Sequence, residues 1–203
     1  MYVPSHFAQD EESAWDIVRD AGAGMLVIAG TKGLASVFAP VVLDVDRATM
    51  RSHIARANPW WRQVPPDGEV LALFVAASAY VSPTYYPSLA REPATVPTWN
   101  YEMAEVRGRV IVHEEPEWTA RQVRALTDHF ESDRDPRWSV DDAPAPHMAR
   151  QLKAIIGLEI VVDSIEGKSK LSQNRLVEDR EGVRAHLAVG TLGERNVAIR
   201  MSR

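Results

Sequence analysis

The chain has 203 residues, 45% of them hydrophobic, enough for one large domain or two small ones with a genuine core. Its 23 basic and 28 acidic residues leave a net charge of −5, which argues against broad binding to a nucleic-acid backbone; the absence of cysteine removes disulfides, thiolate nucleophiles and cysteine metal sites. The apolar runs are far short of a membrane span and no charged-then-apolar leader precedes the first acidic residues, so a soluble, cytoplasmic protein is expected.

Asp10 can cap a helix over Glu11 to Ala21. Ala14, Ile17, Val18 and Ala21 share one face, and Gly22 stops it. A strand over Met25 to Ala29 turns at Gly30-Thr31-Lys32-Gly33 into a second strand, Leu34 to Leu43, interrupted by Pro40. These glycines lie between strands and lack the spacing of a phosphate-cradling loop. From Met50 a third strand alternates: Met50, Ser52 and Ile54 on one face, Arg51, His53 and Ala55 on the other. If it continues, Arg56 joins the apolar face at its rim and needs an anionic partner. Asn58-Pro59 breaks it, and Trp60 and Trp61 follow.

Pro65-Pro66-Asp67-Gly68 is a turn, and Val70 to Ala77 reads as a strand covered on both faces. The proline-rich stretch from Ser82 to Thr98 is too long for a plain connection and reads as a functional loop. A long strand, Trp99 to Val112, follows, with Gly108 a bulge or a close approach. After Pro116 the period becomes helical, with Val123, Leu126 and Phe130 in a stripe. A charged loop from Glu131 to Pro146 leads to a second helix with Met148, Leu152, Ile155 and Ile156 inward and Gly157 at its end. Leu158 to Ile165 is a strand, Glu166-Gly167-Lys168 a turn, Ser169 to Arg175 a dense polar segment, and helical turns finish the chain from about Glu178. About six strands in hairpin-compatible succession suggest an antiparallel barrel with flanking helices.

No nucleophile elbow is present, and His113-Glu114 lacks the second histidine of a zinc motif, so neither a catalytic residue nor a metal site is assigned. Three polar clusters carry the chemistry: His53 to Trp61, Val96 to Tyr101, and Lys170 to Arg175. Together with Met1-Tyr2-Val3-Pro4, His6-Phe7 and Ala79-Tyr80-Val81-Ser82-Pro83 they match a family in order. The chain resembles the PaiB-type proteins, FMN-binding negative transcriptional regulators, over nearly its whole length. The matched motifs are His53-Ile54-Ala55-Arg56-Ala57-Asn58-Pro59, Val96-Pro97-Thr98-Trp99-Asn100-Tyr101, and Lys170-Leu171-Ser172-Gln173-Asn174-Arg175 with Glu178-Asp179-Arg180. Ala76-Ala77-Ser78 departs, standing where a glycine-containing turn is expected.

The resemblance implies a mainly β FMN-binding split β-barrel with flanking α helices: a single domain over residues 1–203 with an N-terminal helix and a C-terminal extension. It implies a homodimer with FMN at or near the subunit interface. The implied cofactor contacts are His53, Ile54, Ala55, Arg56, Asn58, Trp61, Ser82, Thr98, Trp99, Asn100, Lys170 and Gln173. In that assignment Arg56 forks onto the phosphate, the main chain of His53 to Ala55 meets the polar edge of the ring, and Trp61 or Trp99 covers its face. Thr98 and Asn100 bond to ribityl or pyrimidine oxygens, and Lys170 and Gln173 reach over from the same or the partner subunit. The net charge and the lack of a helix-turn-helix signature speak against direct DNA contact, so repression would be indirect. The alternative is a flavin-dependent oxidoreductase of the pyridoxamine-phosphate-oxidase-like superfamily.

Overall fold

The computed structural model describes residues 1–44 and 48–202. The elements in chain order are β1 (Ala8–Gln9), α1 (Glu11–Ala21), β2 (Ala23–Gly30), β3 (Gly33–Pro40), β4 (Val42–Leu43), β5 (Thr49–Ala55), β6 (Glu69–Val81), β7 (Thr98–His113), α2 (Pro116–Phe130), α3 (Ala145–Lys153), β8 (Ile155–Lys170), α4 (Val177–Ala188) and α5 (Leu192–Arg200), with 3-10 turns between some of them. The six expected strands are all present; the second divides at Pro40, as expected, into β3 and β4, and β1 is a two-residue addition. The antiparallel sheet runs β3-β2-β6-β7-β8-β5-β4, with β1 on β8. The fold is mainly β with flanking helices, of the split-barrel class. The chain divides into two compact units, residues 1–21, 74–105 and 165–203 in the first and residues 22–73 and 106–164 in the second.

The second unit holds the barrel wall. The β2–β3 hairpin closes at Gly30↔Gly33, and Pro40 ends β3. Proline has no N–H for the ladder, so the strand bends there. One residue on, the chain resumes as β4, which no longer pairs with β2 but with β5, Val42 opposite Arg51 and Leu43 opposite Met50. One bent strand thus serves two neighbours, and the Ser52 hydroxyl donates to the Pro40 carbonyl (2.6 Å) across the corner. The alternation read from β5 holds: Met50, Ser52 and Ile54 are buried, Arg51 and His53 half-buried and Ala55 exposed. Gly108 marks a close approach, since an added Cβ would meet the Val161 carbonyl oxygen.

The first unit buries a separate core of Ala77, Ala79, Val81, Tyr86, Leu171, Val183, Leu187, Val197, Ala198 and Met201, with α4 packed on α5. Its helix α1 has the expected bounds. The Asp10 carboxylate accepts from the Ser13 N–H (2.8 Å), and Gly22 stops it at φ +65°.

Three expectations are corrected. The second helix ends at Lys153; Ile155 and Ile156 open β8, where they pair with Ala55 and Ile54. Their helical spacing lost to a ladder 100 residues away in sequence. Glu166-Gly167-Lys168 is not a turn, because β8 runs on to Lys170; Gly167 is small because Ala14 of α1 packs against it. β6 is buried on one face only, with Val75 and Tyr80 exposed. Its buried positions change parity from Val70, Ala72 and Phe74 to Ala77, Ala79 and Val81, so an extra residue is accommodated beside the atypical Ala76-Ala77-Ser78.

Candidate flavin site

The sequence-assigned residues fall six and six into the two units. In the second, β5 ends at Ala55, and Arg56 lies in a turn rather than on the strand's apolar face. Its guanidinium donates to the Glu114 carboxylate (2.8 Å) and the Lys153 carbonyl (3.0 Å), so the anionic partner it required comes from this chain. The Asn58 side chain accepts from the Trp60 N–H and opens the 3-10 turn Pro59–Gln63. Trp60 is buried, its indole donating to the Ala35 carbonyl, while Trp61 is half-buried, bonded to the Arg56 carbonyl and stacked under Arg62.

Ile54 is core, so only its main chain is available to a ligand. β4 covers one edge of β5 only at Met50 and Arg51, leaving that edge of residues 52–55 without a strand partner. His53 sits on the outer face with Nδ1 unpartnered, and burial lowers its pKa from the usual 6.5.

In the first unit five of the remaining six lie at the start of β7 and the end of β8, and Ser82 follows β6. The Lys170 ammonium donates to the Thr98 hydroxyl and the Trp99 carbonyl. Asn100 is fully buried and exchanges hydrogen bonds with Ser172 (3.0 and 3.2 Å). The Gln173 amide is spent on its own turn, accepting from the Leu171 N–H and donating to the Ser169 carbonyl, both at 2.6 Å. That clamp holds Ser172 at φ +64°, a backbone region serine rarely occupies. Trp99 is 54% exposed and meets Tyr80 edge to face. Ser82 caps the 3-10 turn Pro83–Tyr85.

Thr98, Asn100 and Lys170 line a cavity of about 140 Å³ together with Phe7, Ser172, Asn174 and Arg175. The sequence reading left Phe7, Ser172, Asn174 and Arg175 off the contact list, although all lie in its quoted motifs. The available signal was two cations in Lys170 to Arg175 with no acid among them.

Solved structures share this fold. The chain is similar to a conserved hypothetical protein of Mycobacterium tuberculosis (TM-score 0.62, 12% identity, covering 87% of this chain and 94% of that one). It is also similar to the FAD and heme binding protein of Mycobacterium smegmatis (TM-score 0.60, 14% identity, 92% and 82%). The fold thus defines a protein of the split-barrel class. Residues 1–164 match the family described as "Putative FMN-binding domain". The "Protease synthase and sporulation protein PAI 2" of Bacillus subtilis is 30% identical over 178 residues, covering 86% of this chain and 83% of that protein. An uncharacterized protein of Aspergillus fumigatus is 32% identical, covering 82% of each. The chain belongs to the PaiB-type family of FMN-binding proteins, and FMN is its cofactor. Among the described residues no helix is long and apolar enough to cross a membrane.

Proposed function

We propose that this protein is a homodimeric, FMN-binding negative regulator of the PaiB type that acts in the cytoplasm. The observation that carries the reading is in the first unit, where β7 and β8 present an exposed indole, Trp99, beside the hydroxyl of Thr98 and the ammonium of Lys170. A flat ring for stacking beside donors suits a flavin carrying a polar chain. In the second unit the edge of His53 to Ala55 has no strand partner, although the Ala55 carbonyl accepts from the Asn58 N–H, and its remaining main-chain groups are suited to the polar rim of a heterocycle, with Arg56 and Asn58 holding the turn behind it. Ser82, Asn100 and Gln173 act by shaping their segments, and Trp61 by closing the turn at Arg56.

Self-association is supported by apolar side chains left on strand faces: Leu34 and Phe38 on β3, and Val75 and Tyr80 on β6. The relative's name ties that protein to protease synthesis and sporulation, which fits control of gene expression. Repression here runs through a partner or a small molecule, since the net charge is −5 and no segment carries a groove-reading motif. An absorbance spectrum with and without added FMN, beside a sizing run, tests the reading. A yellow dimer is expected; a colourless monomer that ignores saturating FMN overturns it.

A second reading, a flavin-dependent oxidoreductase, is favoured by the fold shared with the FAD and heme binding protein of M. smegmatis. Bleaching of bound flavin by NADPH in stopped flow would move the assignment there.

A further inference from the structure

In the first unit three cations stand together with no ion-paired carboxylate among the described residues. Lys168 is only 9% exposed; its ammonium donates to the Tyr2 carbonyl (3.1 Å) and lies against the rings of Tyr2 and Tyr101. Lys170, two residues on and on the same face of β8, donates only to a hydroxyl and a carbonyl. The Arg175 guanidinium lies 5.0 Å from the centre of the Tyr86 ring. Among the described residues none of the three forms an ion pair with a carboxylate, although acids are the commoner charge in the chain. Burial lowers the pKa of Lys170, and the charges of Lys168 and Arg175 lower it further.

Gathering like charges in a partly desolvated place costs stability unless an anion joins them. Lys170 and Arg175 line the 140 Å³ cavity, and Thr98, Ser172, Asn100 and Asn174 complete its wall. At ~30 Å³ per water-sized group, it holds about five such groups, the number of heavy atoms in a phosphate. An ammonium with one N–H still free, a guanidinium fork, the Thr98 hydroxyl and the Asn174 amide supply donors for a tetrahedral dianion, while Asn100 and Ser172, bonded to each other, shape the wall. The Gln173 clamp fixes Ser172 in its unusual conformation at the wall of this cavity. Arg56, by contrast, is already neutralised by Glu114.

We propose that Lys170 and Arg175, with Thr98, Ser172 and Asn174, form the receptor for a phosphate monoester, and that the FMN phosphate docks here rather than on Arg56. The proposal rests on the FMN reading for the identity of the ester; the anion site itself rests on the cation cluster and the cavity.

The test compares FMN with riboflavin by fluorescence titration of the full chain, with inorganic phosphate as competitor. The parent is expected to prefer FMN by about a hundredfold or more, and phosphate to weaken FMN but not riboflavin. Lys170→Met and Arg175→Gln should each lower FMN affinity at least tenfold, weaken riboflavin far less, and so collapse the preference; Lys170→Arg should restore most of it. Arg56→Ala should leave the preference intact. If the parent binds FMN, but phosphate does not compete and Lys170→Met keeps the preference, the assignment is overturned while the flavin reading stands. If the parent binds neither flavin, the flavin reading falls. Phosphate broadening in ³¹P spectra that Lys170→Met abolishes would then support an anion site for another phosphoester, and no broadening would overturn it. Should the variants not fold, competition on the parent alone decides.

Discussion

Arg56 in the barrel unit and the Lys168, Lys170 and Arg175 cluster in the first unit treat positive charge in opposite ways. In the barrel unit Arg56 is answered by Glu114, Arg51 by Asp44, Arg124 by Asp141 and Arg109 by Asp163. Such exposed or half-exposed pairs contribute little, since water and salt already screen them. In the other unit Lys168, Lys170 and Arg175 are left to carbonyls, hydroxyls and ring faces. The difference separates a charge that finishes a fold from one that waits for a ligand. Sequence motifs alone rank Arg56 and Lys170 together; only the acid 58 residues from Arg56 tells them apart.

The contrast can be tested from its supports outward. The largest effect is expected at Trp60, which anchors the turn behind Arg56. Trp60→Ala should lower the stability of the barrel unit by about 3–5 kcal/mol in urea unfolding, through a lost buried ring and an unpaired Ala35 carbonyl. In the first unit the buried acid Asp179 accepts from the N–H and hydroxyl of Ser88 (3.0 and 2.8 Å). Asp179→Ala should cost about 1–3 kcal/mol by orphaning those donors. If it instead abolishes folding, the acid is balancing the cluster and the unanswered charge is smaller than argued here.

Lys170→Met should slightly raise the urea midpoint of the unliganded protein while weakening FMN, the signature of a residue kept for binding. Arg56→Ala should show the reverse: under about 1 kcal/mol lost in stability and unchanged preference for FMN over riboflavin. Observing both patterns sharpens the division; losing the FMN preference in Arg56→Ala erases it.

The smallest effect concerns pH. Burial keeps the folded-state pKa of His53 below the usual 6.5, so the unfolded chain binds this proton more readily. Its contribution is fully present above about pH 6.5 and falls as pH drops through that value toward the lowered one. Thermal melts at pH 5 and pH 7.5 should therefore differ less in His53→Gln than in the parent.

Much of the fold was legible because local signals agreed with it. The caps and stripe of α1, the hairpin at Gly30 to Gly33 and the alternation of Met50, Ser52 and Ile54 are each written within a dozen residues. What was not legible was decided at long range. Ile155 and Ile156 have helical spacing but join β5, Gly167 reads as a turn but makes room for Ala14, and Val75 reads as core but is exposed. The site was legible as three polar motifs but not as roles. Gln173 looks like a ligand donor and is a backbone brace, while Arg175 looks like a solvated turn residue and lines the cavity.

The bend at Pro40 sets a limit on how this barrel can drift in evolution. Because one stretch of chain serves β2 before the proline and β5 after it, a single inserted or deleted residue between Leu34 and Leu43 cannot be absorbed by sliding. It would turn either the Met25–Phe38 or the Met50–Leu43 pairing inside out. Length change in this family is therefore expected to spare that corner and to gather in the segments that join strands to helices.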